Sequence, residues 1–110
     1  MTFKVIVTDP FERKFKRLAK RYKSLKADLF PVLEELAHNP VIGTPIGKGC
    51  YKIRVAIASK GKGKSGGARI ITYVRVIHNA VFLMDIYDKS EQVTISDKEL
   101  QLLIDLLTGK

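Results

Sequence analysis

Between two strand-like segments the chain runs Lys60-Gly61-Lys62-Gly63-Lys64-Ser65-Gly66-Gly67-Ala68-Arg69. Four glycines loosen the backbone and allow it to approach a ligand closely. Strands on both flanks make the run a loop anchored at each end. Lysine and arginine bind phosphate oxygens, arginine as a planar fork and lysine as a mobile point charge. A flexible cationic loop on a rigid sheet is a place to hold a polyanion, and nucleic acid is the obvious one.

The rest of the chain builds that sheet. Residues 3–8 are short and β-branched, a first strand. Asp9-Pro10 reads as an N-cap with proline in the first helical position. Phe11, Phe15, Leu18, Ala19, Tyr22 and Leu25 then recur at helical spacing. Ser24 is placed to cap a second helix carrying Leu25, Leu29, Val32, Leu33 and Leu36. Pro31 implies either a kink or a start nearer Asp28. Asn39-Pro40 ends this helix, and two helices so closely joined suggest an antiparallel hairpin. Residues 41–49 read as a loop.

In residues 50–58, Tyr51, Ile53, Val55 and Ile57 share one face, with Lys52 and Arg54 on the other. In residues 68–76, Arg69, Ile71, Tyr73 and Arg75 share a face. His78-Asn79 turns into residues 81–87, where Leu83, Asp85 and Tyr87 share one. Ser96-Asp97-Lys98-Glu99 is a capping box opening a helix with Leu100, Leu103, Ile104 and Leu107. The order is β-α-α-β-β-β-α. This is one α+β domain over residues 1–110, with a small, mainly antiparallel sheet, an N-terminal helical hairpin and a C-terminal helix. Aligned registers would gather Lys52, Arg54, Arg69, Tyr73, Arg75, Asp85 and Tyr87 on one face. Unpartnered buried arginines are costly, so that face is expected to be open, with the helices on the opposite one.

Charge singles out the same region. The net charge is +9, from 20 Lys and Arg against 11 Asp and Glu. The block from Arg13 to Lys26 reads as a solvated helix face. From Leu36 through Met84, however, there is no Asp or Glu, which solubility alone does not explain. Such asymmetry suggests a phosphate-backbone partner. No apolar run approaches the ~20 residues of a membrane span, and no secretory signal is visible. The lone Cys50 cannot form an internal disulfide and reads as a buried small hydrophobe. A cytoplasmic protein with no membrane partner is expected.

Gly63-Lys64-Ser65 is not a phosphate-binding P-loop. That pattern needs glycine where Ala58 stands and a helix where residues 68–74 read as a strand. His38 and His78 are the only histidines, and no carboxylates have ligand spacing, so no metal or cofactor is expected. Lys, Arg and Tyr remain. They suit RNA cleavage by the ribose 2′-hydroxyl, which needs a base, cations for the developing charge and an acid for the 5′-oxygen. Crowded lysines repel one another's protons, which lets one act as base.

Lys52-Ile53-Arg54, the run Gly63-Lys64-Ser65-Gly66-Gly67-Ala68-Arg69, Tyr73 and the late Tyr87-Asp88-Lys89 resemble the RelE/ParE superfamily of bacterial toxins. The glycine-lysine run is similar to its HigB-like branch. The resemblance covers nearly the whole chain. It implies the toxin of a type II toxin–antitoxin system, a metal-independent endoribonuclease that cuts messenger RNA on the ribosome and inhibits translation. It also implies a cognate acidic antitoxin, and the ribosome and mRNA as partners. By position, Lys52 and Arg54 resemble the family's cationic pair. Lys64 and Arg69 resemble its phosphate ligands, Tyr87 its late aromatic and Lys89 that aromatic's basic neighbour. These six form the expected catalytic set, with the base unassigned among them. Lys60, Lys62, Ser65, Tyr73 and Arg75 are assigned to RNA binding. Two other readings stay open: a gyrase poison of the ParE type, and a non-catalytic basic nucleic-acid-binding module.

Overall fold

A computed structural model describes residues 2–110. The chain runs β1 (Lys4–Val7), α1 (Asp9–Arg21), α2 (Leu25–His38), β2 (Thr44–Gly47), β3 (Cys50–Val55), β4 (Ala68–Arg75), β5 (Ala80–Asp88) and α3 (Asp97–Thr108). Single 3₁₀ turns lie at Ala58–Lys60 and Val76–His78. The strands form one sheet in the order β1-β5-β4-β3-β2. β1 runs parallel to β5, and the other neighbours are antiparallel. The architecture is the expected α+β arrangement with one strand more.

That strand, β2, lies in the segment expected to be a loop. Its Thr44 and Pro45 pair with Lys52 and Tyr51. Proline donates no ladder hydrogen bond, but an edge strand tolerates it. Conversely, β3 ends at Val55 rather than at residue 58.

Thr8, not Asp9, is the N-cap of α1, and Asp9-Pro10 opens the helix itself. The Thr8 hydroxyl donates to the Leu83 carbonyl at 2.7 Å instead of capping. Asp9 is left in the first turn, where the helix dipole favours its charge. α2 begins after Ser24 and carries Pro31 in its interior, on an exposed face. The Ser24 hydroxyl donates to Asp28 and accepts from the Ser59 N–H, joining α2 to the turn before the cationic loop. At α3 the Glu99 N–H donates to the Ser96 hydroxyl at 3.1 Å.

Two apolar cores sandwich the sheet. On one face Phe11 and Leu18 of α1 and Leu25, Leu29 and Leu36 of α2 pack against Ile53, Val55, Ile70, Val81, Leu83 and Ile86. On the other, Leu100 and Ile104 of α3 pack against Cys50, Ile71, Met84 and Tyr87. The helices therefore do not share one face, because α3 has an apolar stripe of its own to bury.

The period-2 expectation also fails in β5. Ile71 pairs with Asp85 but Thr72 pairs with Leu83, so Met84 is an extra residue in the ladder. A bulge of this kind resets the alternation. Leu83 joins the core under α1 and α2, and Tyr87 joins the core under α3. Asp85 ion-pairs with Lys14 of α1 at 2.7 Å. The three residues do not share a face.

Candidate active site

Arg54, Arg69 and Tyr87 stand side by side on three neighbouring strands. Arg54 faces Arg69 in the β3–β4 ladder, and Arg69 faces Tyr87 in the β4–β5 ladder. With strands about 4.8 Å apart, the row spans roughly 10 Å of backbone. Arg54 is exposed, but Arg69 and Tyr87 are each only 4% exposed. The face expected to be open is thus largely covered at its centre.

Arg69 is covered by the cationic loop itself. Its guanidinium donates to the carbonyls of Lys64 at 2.8 Å, Ser65 at 3.3 Å and Ala68 at 3.1 Å. These bonds fold residues 61–67 down against β4. Gly67 closes the base of the loop. A Cβ there would lie 2.1 Å from the Val55 carbonyl oxygen, so only glycine lets the two backbones meet. Burial lowers the guanidinium's pKa and Arg54 lowers it further, with Tyr87 acting in the opposite sense. An arginine stays charged regardless.

The Tyr87 hydroxyl is buried without a hydrogen-bond partner among the described residues. Burial pushes its pKa up, Arg69 pulls it down, and Asp85 adds to the rise. Thr94 favours the phenolate slightly but closes no hydrogen bond to it. Tyr87 is therefore a neutral phenol at pH 7. It can give a proton, and it is not poised to take one.

The remaining predicted residues divide. Lys52 is half-buried on β3, and Lys62, Lys64 and Ser65 are exposed in the loop. Lys89 follows the row at the end of β5 and donates to the Val93 carbonyl at 3.2 Å. Lys60 is drawn away, because its ammonium is bonded to Asp88 and, at 3.1 Å, to Ser90. Tyr73 and Arg75 lie at the far end of β4. There the Arg75 guanidinium sits 5.8 Å from the Tyr73 ring centroid, and Tyr73 packs with Phe82. Along the strand, about 13 Å of backbone separates Tyr73 from Arg69.

Asp88 stands in the Tyr87-Asp88-Lys89 run, but nothing in the sequence assigned it a role. It is 1% exposed and bonds the hydroxyl of Tyr22 (the residue capping α1), Lys60, and both the N–H and hydroxyl of Ser90, with Arg21 of α1 at 3.7 Å. One carboxylate thus fastens α1, the start of the loop and the end of β5. The sequence signal was an acid at the end of the last strand, three residues after Asp85 had closed the acid-free stretch. Asp85, 1% exposed, has an Oδ2 without a partner among the described residues. Among the described residues, no group of three or more His, Cys, Asp or Glu is placed to hold a metal ion. Among the same residues, no helix is long and apolar enough to cross a membrane.

The sequence profile of a family described as "RelE toxin of RelE / RelB toxin-antitoxin system" matches residues 11–108. Among solved structures, a mutant of the E. coli toxin RelE in the free state superposes with a TM-score of 0.63 at 15% identity, covering 96% of this chain and 97% of that one. The toxin of the intact E. coli RelBE toxin–antitoxin complex gives 0.59 at 19% identity, over 80% of this chain and 96% of that one. The RelBE2 toxin–antitoxin complex of Mycobacterium tuberculosis gives 0.58 at 17% identity, over 80% and 92%. At such identities the likeness establishes a shared fold.

Proposed function

The chain belongs to the RelE toxin family, and on that premise we propose that it is a ribosome-dependent endoribonuclease that arrests translation by cutting messenger RNA. The observation that carries this reading is the Arg54–Arg69–Tyr87 row across three strands, roofed by a lysine-bearing loop. A base removes the 2′-hydroxyl proton as the 2′-oxygen bonds to the adjacent phosphorus. The phosphorane passes its charge to the 5′-oxygen as the P–O5′ bond breaks, and an acid protonates that oxygen. The products are a 2′,3′-cyclic phosphate and a 5′-hydroxyl.

Arg54 and Arg69 supply fixed positive charge where the phosphorane forms, an effect on the order of 10²–10³ in rate per donor. Tyr87, a neutral phenol without a partner among the described residues, is the acid, and it meets the 5′-oxygen only when the groups covering it move aside. Lys52, Lys64 and Lys89 are the groups left to receive the 2′-proton and hold the neighbouring phosphates, with Lys62 and Ser65 on the RNA backbone. Arg69 also positions the loop, so its side chain couples loop shape to chemistry. Since the solved complexes of this fold pair RelE toxins with antitoxins, a cognate antitoxin is the expected partner. An acidic, partly disordered one would suit the +9 net charge and fold on contact.

Purified protein added to programmed ribosomes should cut the bound mRNA and leave 5′-hydroxyl ends. Intact mRNA with folded protein, or ends bearing a 5′-phosphate, would reject this chemistry. Gyrase-dependent DNA breaks in expressing cells would favour the ParE-type alternative.

A further inference from the structure

Beside the row, the sheet edge holds a cleft that shares Lys52, Arg54 and Lys64 with the candidate site. β2 pairs with β3 only as far as Thr44–Lys52. Residues 53–55 therefore have β4 on one side and no strand on the other. Such an edge leaves alternate N–H and C=O groups free. Between it and α2 lies a cleft of ≈ 480 Å³, within the roughly 300–1,000 Å³ range of ligand pockets. Val32, Ile42 and Ile53 give it apolar walls, while Arg54 and Lys64 bring cations from the row and the loop. Part of the wall is backbone: Gly43, at φ +98°, is so close to β3 that a Cβ would lie 2.5 Å from the Lys52 carbonyl oxygen.

Two carboxylates also line the cleft, and they differ. Asp28 is engaged, accepting from the Ser24 hydroxyl at 2.7 Å and the Ala58 N–H at 3.0 Å. Glu35 makes no ion pair among the described residues. A free carboxylate is unfavourable along a phosphate path, since like charges repel. It is well suited to accept hydrogen bonds from a base, because cytosine, adenine and guanine carry an exocyclic amino group and uracil does not. Unstacked bases of single-stranded RNA expose these edges to a protein.

We propose that this cleft is a base-reading subsite. It holds one unstacked base next to the scissile phosphate, which Arg54 contacts, with Lys64 on the adjoining phosphate. Glu35 accepts from the exocyclic amino group and selects against uracil. The subsite rests on the endoribonuclease reading of the row.

Its test needs no turnover. Trinucleotides with 2′-O-methyl riboses cannot be cut by 2′ attack, and tricytidylate and triuridylate of this kind can be titrated into ¹⁵N-labelled protein. Amide shifts are expected at Gly43, Val55 and Ala56, with tricytidylate bound about tenfold more tightly, as one good base contact provides. Glu35→Ala should abolish the preference without weakening triuridylate. Glu35→Gln, which keeps an acceptor oxygen, should retain part of it. Glu35 is exposed on α2, so both variants should keep the wild-type amide spectrum. Equal affinities in the wild type, an unchanged preference in Glu35→Ala, or shifts confined to other surfaces would overturn the subsite. Failure of the nuclease reading looks different: uncut mRNA on ribosomes, from a protein that still prefers tricytidylate.

Discussion

Replacing Asp88 by asparagine removes one negative charge from the end of β5 and almost no volume. The Asp88 side chain is 0% exposed and that of Lys60 is 10% exposed, so the pair is close to fully buried. Removing one partner of a buried pair costs about 3–5 kcal/mol, chiefly because the other charge is left without compensation. Asparagine can keep the Ser90 contacts, so the lower figure, about 3 kcal/mol, is expected. In a domain of this size that lowers Tm by roughly 12 °C or more.

Acid should shrink the deficit. Burial pushes the Asp88 carboxyl up, but Lys60, Tyr22 and Ser90 outweigh it and hold it well below the ordinary carboxylate range. The wild type therefore gains stability from this group above the unfolded-chain pKa of about 3.9, and loses it as the pH falls from there toward the folded value. Urea titrations followed by circular dichroism at pH 7 and at pH 3 measure both effects. A loss under about 1 kcal/mol at pH 7 would refute the buried-pair reasoning, as would a deficit that acid leaves unchanged. Adding Lys60→Met to the variant should restore much of the stability, since the stranded charge is then gone.

Three other substitutions separate structure from chemistry. Tyr87→Phe removes a hydroxyl that has no partner among the described residues; the urea midpoint should hold or rise while cleavage on ribosomes falls ~100-fold, as for loss of a general acid, and unaltered cleavage would reject the acid role. Asp85→Asn should behave unlike its neighbour. Burial raises the Asp85 carboxyl despite Lys14, so this group favours folding at low pH and that contribution is lost as the pH rises through the folded value. Because Lys14 is 35% exposed and can turn to water, the variant should match or exceed wild-type stability by about 1 kcal/mol at pH 7; a clear loss in the same titration would contradict this. Gly67→Ala drives a Cβ to 2.1 Å from the Val55 oxygen and 3.0 Å from the Ala56 Cα. Backbone on both sides cannot yield cheaply, so a cost of about 1–3 kcal/mol is expected, and an unchanged melting temperature would show that the loop base is looser than described.

The helices were legible because their apolar residues repeat at the helical period and bury one stripe each. The central strands were legible from alternation. β2 was not, because Thr44-Pro45-Ile46-Gly47 has the composition of a turn and is held by pairing on one side alone. The bulge at Met84 left no trace in composition either. The alternation in β5 reads continuously, and the slip exists only relative to β4. For the same reason the sequence could align Arg54 with Arg69 but misplaced Asp85. Partner choice was the least readable layer. Lys60 looks like any other lysine of its run until Asp88, 28 residues away, is seen to hold it.

The parallel pairing of β1 with β5 joins residues 4–7 to residues 80–83. Loop closure over such a separation is slow, and a nascent chain cannot attempt it until residues 80–83 have left the exit tunnel. Until then the first strand and the apolar stripe of α1 wait without their main docking strand, and Tyr87 does not yet stand beside Arg69. Chain order alone therefore delays both the packing of α1 and the alignment of Arg54, Arg69 and Tyr87 until the last strand is available.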